Sequence, residues 1–302
     1  SFAYMLLGIV AGIVTTKHLP NYLDFFWTSD LFVISIVGSI VGWTLIFNHE
    51  LAHFIVAKAC GAESLVRYSN RYTVLVMVTE HFHLSVVDKP LRYLVYLSGM
   101  YMDILLIATV YWIFTVCNLV GIDLGIYELF LNSVILFLLA GVISEFNLYL
   151  ETDVYNFFTD YLNQDNLYND TKKYLSQRAN KWKNPILLPL RNILKKVMFT
   201  QNRLVQANDL RIMSKGQKRV LHMFSLYYIL GILMATAMLL VVTLPRDIKF
   251  ITDSVRMLSE AIILHNWVDI AKSIIIVILA LLPNVLLVDA IVKKHKKHGS
   301  FI

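Results

Sequence analysis

The stretch Phe47-Asn48-His49-Glu50-Leu51-Ala52-His53-Phe54 holds the side chains best suited to chemistry. On a helix, His49 and His53 stand four residues apart and project from one face. Two imidazoles at that spacing can hold one Zn²⁺. Glu50, next in line, can reach a water at the metal and take its proton. The chemistry that suits this pattern is metal-assisted hydrolysis. A catalytic zinc takes three protein ligands and keeps a position open, so a third ligand must come from elsewhere. Asp153, Glu151 and Glu145, near the end of a later apolar segment, are the candidates.

The composition says what surrounds this motif. Of 302 residues, 57% are hydrophobic and 16% charged, against about 25% charged in an ordinary soluble domain. Several apolar runs reach the roughly 20 residues needed to cross a bilayer. The expected class is an all-α polytopic membrane protein with six transmembrane helices and a small re-entrant β segment between the second and third. A net charge of +6 does not point to nucleic acid, because the basic residues lie beside apolar spans, where headgroups and topology account for them. Cys60 and Cys117 fall on different segments and do not make a disulfide framework. The chain opens without Met, so the natural N-terminus is expected upstream. Residues 1–16 lack a basic n-region and an A-x-A site, and read as a retained span rather than a cleaved signal peptide.

The expected spans are Phe2 to Thr16, Leu31 to Lys58, Leu91 to Val120, Ile126 to Glu145, Lys218 to Leu244 and Asp269 to Val292. The second carries the His/Glu turns and a G-x-x-x-G, Gly38 and Gly42, that suits close helix packing. Between the second and third spans, Arg67 to Val78 and His81 to Val87 have strand composition, placing the β segment at 66–87. Irregular backbone near membrane depth needs protein or water around it. Residues 1–150 thus form a membrane core. Residues 151–216 form a polar, largely helical segment broken by Pro185 and Pro189. Residues 217–302 hold two further spans, an amphipathic surface stretch at Phe250 to Trp267, and a basic tail. With the tail in the cytosol, every Lys and Arg except Lys17, Arg246, Lys249, Arg256 and Lys272 falls on the cytosolic side. The positive-inside rule favours that orientation. It brings His53 and the end of the fourth span to the same side.

At this point the chain resembles the site-2 protease family of intramembrane zinc metalloproteases. H-E-L-A-H lies on a transmembrane helix, a β-type segment and a small-residue span follow, and an Asp stands at the end of a later span. The resemblance is strongest to the bacterial branch linked to processing or export of ribosomal peptides, and covers residues 30–165. That branch has a Leu-Asp-Gly-Tyr-Tyr motif, similar to Thr152-Asp153-Val154-Tyr155 here. Its Ala-Gly-Pro-x-x-Asn stretch is similar to Ser98-Gly99-Met100-Tyr101-Met102-Asp103. The resemblance implies His49, His53 and Asp153 as ligands of Zn²⁺ and Glu50 as general base. The implied activity is hydrolysis of a membrane-spanning or leader-like peptide in a multi-pass cell membrane protein. The chain departs from the family at Val154, in place of Gly, and at Met100 and Asp103, in place of Pro and Asn.

Other residues carry two readings each. Asp103 makes an interhelical hydrogen bond or meets substrate. Asn147 donates to a substrate carbonyl or caps a helix. His81 and His83 alternate on one face of an expected strand, as surface histidines or as the lining of a substrate channel. His222, His265, His295 and His298 read as interfacial. The expected partners are a membrane-embedded peptide or protein, the bilayer, and a regulatory or transporter-associated subunit. A rival class is a membrane scaffold or transporter subunit whose site has decayed; an intact His49, Glu50 and His53 count against it. A secondary transporter is disfavoured, because no inverted repeat is present. Low Pro with abundant Lys, Asn, Ile and Tyr fits a low-GC bacterium.

Overall fold

The computed structural model describes residues 2–71, 74–82, 84–147, 151–164, 167–180, 215–238 and 244–278. They fall into two compact units, Ser1–Phe146 with Val241–Ile302, and Asn147–Leu240.

In the first unit, α1 (Phe2–Thr16) leads to α2 (Leu31–Ala59), a hairpin of β1 (Glu63–Arg71) and β2 (Val74–Phe82), then α3 (Lys89–Val120) and α4 (Ile126–Glu145). Local signals set these limits. The Asp30 carboxylate accepts from the backbone N–H of Phe32 and Val33 and caps α2. Pro90 opens α3, and Gly121, at φ 75°, closes it in the left-handed region. Among the described residues, α2, α3 and α4 are long and apolar enough to cross a membrane. At 20 residues, α4 just matches a hydrocarbon core of about 30 Å. Among the described residues there are thus three candidate spans, where the sequence suggested six. Helix α1 is a shorter apolar helix of 15 residues, and residues 279–292 of the expected sixth span lie outside the described residues.

Helix α3 is the packing centre of this unit. Ile107, Val110, Tyr111 and Phe114 pack against Ile135 and Leu138 of α4 in one buried cluster. Helix α1 packs on α3 as well, with Ile9 and Ile13 against the same cluster, and a Cβ at Gly12 would run into the Tyr111 ring. Close approach thus runs through α1. Gly38 and Gly42, which the sequence suggested for it, face open space among the described residues. A G-x-x-x-G permits contact without supplying a partner.

The hairpin is antiparallel, with Glu63 opposite Phe82 and Arg71 opposite Val74, and both strands pack on α2. The strand expected over His81 to Val87 stops early. β2 ends at Phe82, and Leu84–Val86 form a 3₁₀ turn whose Leu84 joins Ala57, Ala62 and Val95 in a second buried cluster. Cys60 packs against this cluster, and both cysteines are free thiols. The cluster pins the end of α2 to the start of α3. Helix α8 (Leu244–Ile263) also belongs to this unit, exposing Ile248, Val255 and Ile262 and burying Ser254 and Ala261.

In the second unit, α5 (Asp153–Tyr161), α6 (Leu167–Asn180) and α7 (Lys215–Met238) bury Tyr155, Leu167, Leu221, Phe224 and Tyr228 together. The expected fifth span thus begins inside this unit. The Tyr155 hydroxyl accepts from the Tyr168 N–H at 3.0 Å, and burial pushes its pKa up to about 12. Burial raises Tyr168 as well. His222, read as interfacial, lies against Tyr174, its Nδ1 3.2 Å from the phenol oxygen.

Candidate metal centre

His49, Glu50 and His53 sit in the last third of α2, whose final turn is tied down by the cluster around Ala57. The two imidazoles share one face as the i, i+4 spacing requires, with ring centroids 4.9 Å apart. His53 is 2% exposed.

The neighbours of each ring decide which nitrogen can bind a metal. His53 Nδ1 lies 2.7 Å from the carbonyl oxygen of Val95, with the Ser98 hydroxyl at 3.1 Å. A carbonyl only accepts, so Nδ1 carries the proton and Nε2 the lone pair. His49 Nδ1 lies 2.7 Å from the Asp103 carboxylate, which sets the same tautomer. Both Nε2 atoms therefore present lone pairs, and they lie 3.2 Å apart. Gly99 of α3 borders the same spot, and a Cβ there would strike both Nε2 atoms. A hydrogen is all the position has room for.

Within the first unit His49 and His53 supply two ligand atoms; Asp153, the third ligand that the sequence suggests, lies in the second unit. Two neutral imidazoles and a carboxylate suit Zn²⁺. The residues present thus fit the metal that the sequence pattern implies. Asp153 opens α5, where the helix dipole favours a negative charge. Glu151 stands just before it at φ 54°, in the left-handed region. The sharp backbone turn therefore precedes the Asp, and Val154 is buried and helical. That accommodates the absence of a Gly after Asp153.

Glu50 is held from the other side of α2. The Thr79 hydroxyl of β2 donates to Glu50 Oε2 at 2.7 Å and lies 3.1 Å from the Glu50 carbonyl oxygen. His81, two residues on and on the same strand face, brings its ring to 6.3 Å from His53 and its Nδ1 to 3.0 Å from the Ser64 hydroxyl. Asp103 is 4% exposed and faces His49. Asn147 lies past the end of α4 and is half-buried, and His83 lies outside the described residues. Sequence reasoning missed Thr79, Val95 and the steric role of Gly99. Thr79 had a legible signal: it shares the period-2 face of His81. Val95 acts through its backbone, which side-chain identity does not report.

Compared with protein-family models, curated proteins and solved structures, the chain matches none.

Proposed function

We propose that this protein is a membrane-embedded, zinc-dependent endopeptidase of the site-2 protease type. Its substrate would be a peptide bond in a membrane-spanning or leader-like segment. The observation that carries this reading is the pair of imidazoles, His49 and His53, whose Nε2 atoms meet at 3.2 Å on a membrane-length helix that also carries Glu50; Asp153 is the third ligand in this proposal. Basic-residue placement supports a multi-pass protein of a bacterial cell membrane with the site and C-terminus on the cytosolic side. Ionisable groups in an apolar helix cost a few kcal/mol each, so their retention there favours function over chance.

When bound, Zn²⁺ supplies Lewis acidity toward a water and toward the scissile carbonyl. Glu50 takes the proton of the attacking water and later delivers it to the leaving amine. Thr79 holds the carboxylate at the position from which it does so. Asp103, Val95 and Ser98 hold the two imidazoles in the ligating tautomer. Packing of α2 against α3 and the hairpin buries His53, Asp103 and Thr79.

The test uses the full chain in liposomes, with a library of apolar 20–25-residue peptides read by mass spectrometry. The wild type is expected to bind about one zinc per chain and to cleave a subset of the peptides. Glu50→Gln is expected to keep the zinc and lose turnover. Equal turnover in Glu50→Gln removes the assignment of the base. Loss of zinc in His49→Ala but not in Asp153→Ala moves the third ligand to another acid. No zinc and no cleavage in the wild type would make the decayed scaffold the better reading.

A further inference from the structure

We infer that Asp103 is a positioning residue for the metal: its carboxylate holds His49 in the ligating tautomer and strengthens the bond from His49 Nε2. The inference rests on the proposed zinc site and extends it to a residue outside the ligand set. Asp103 lies mid-way along the 32-residue α3, 4% exposed, in a helix apolar enough to cross a membrane. An Asp at such a depth is costly to insert and needs a specific interaction to offset it. The only hydrogen bond described for it runs to His49 Nδ1 at 2.7 Å, a length typical of a charge-assisted bond. On its α4 side stands Gly141, where a Cβ would come no nearer than 3.8 Å to Asp103 Oδ2. No other cation is described beside it. The carboxylate therefore serves the imidazole and is not part of a surface ion-pair network.

The two histidines differ because of this residue. His53 is held by a neutral carbonyl and a hydroxyl, whereas His49 is held by a negative charge. A carboxylate behind an imidazole makes the ring a better electron donor and fixes its plane. It also places a negative charge one hydrogen bond away from any cation between the Nε2 atoms. His49 is thus the anchoring ligand and His53 the weaker one.

The test is zinc affinity of the detergent-purified full chain, measured by chelator competition in wild type, Asp103→Asn and Asp103→Leu. Asn keeps an acceptor oxygen for Nδ1 and removes only the charge; Leu removes both. The expected loss is about 10- to 100-fold for Asn, and larger for Leu. The visible spectrum of the cobalt-loaded protein is expected to shift in Asp103→Asn, because the His49 bond weakens. The melting temperature of the metal-free protein is expected to stay at the wild-type value in that variant. Wild-type zinc affinity in Asp103→Asn overturns the inference. So does an affinity loss with an unchanged cobalt spectrum, which would mark a merely structural role. A wild type that binds no zinc removes the proposed function as well, so the two failures are told apart.

Discussion

Helix α2 is held on two faces, and the two faces serve different chemistry. Toward α3, Asp103, Val95 and Ser98 orient the imidazoles, and Gly99 leaves room beside them. Toward the hairpin, Thr79 meets the carboxylate of Glu50. A helix by itself sets only the spacing of these side chains. It does not choose a tautomer, a ring plane or a carboxylate rotamer. The neighbours make those choices, and they come from separate elements. Metal retention and proton transfer are therefore expected to be separable by substitutions that touch none of His49, Glu50 or His53.

The largest break is expected at Gly99. Gly99→Ala places a methyl against both Nε2 atoms. Zinc content should fall to near zero. The fold should survive, since Ala in a helix interior is favoured over Gly by about 1 kcal/mol. Zinc analysis beside thermal melting reads both. Full zinc occupancy in Gly99→Ala would show that the imidazoles do not converge as described.

The contrast between Gly99 and the other glycines shows what the sequence could convey. The H-E-x-x-H spacing and the strand composition that placed a β segment at 66–87 were legible, because each acts through local geometry; the hairpin itself runs from Glu63 to Phe82. Gly38 and Gly42 were also visible, yet they pack against nothing described, while Gly12 packs against Tyr111. Contact between helices depends on which faces meet, and no residue pattern within one helix reports that. Asp103 was visible as a costly acid in an apolar span. Its partner was not, because His49 lies 54 residues away in sequence. Thr79 shares that limitation, meeting Glu50 from 29 residues away.

A smaller and more selective break is expected on the hairpin face. Thr79→Val removes the hydroxyl with little change of shape. A hydrogen bond to a charged group is worth about 1.5–3 kcal/mol, so kcat should fall roughly 10- to 100-fold if Thr79 holds Glu50 for proton transfer. Zinc content and KM should stay at wild-type values, and Thr79→Ser should restore most of the rate. A Thr79→Val variant that loses zinc instead would merge the two faces into one cooperative unit.

The smallest effect belongs to Ser98. Its hydroxyl stands 3.1 Å from His53 Nδ1 but also donates to the Val95 carbonyl at 2.8 Å, and that carbonyl is itself 2.7 Å from Nδ1. The carbonyl is the stronger determinant, because it can only accept and cannot leave with a side chain. Ser98→Ala therefore leaves His53 in the same tautomer and removes one neutral hydrogen bond, worth about 0.5–1.5 kcal/mol. Zinc affinity by chelator competition should weaken about 2- to 10-fold. A loss as large as that of Asp103→Asn would mean that the hydroxyl, and not the carbonyl, orients His53. The distinction between a charged hold on His49 and a neutral hold on His53 would then no longer account for the metal affinity.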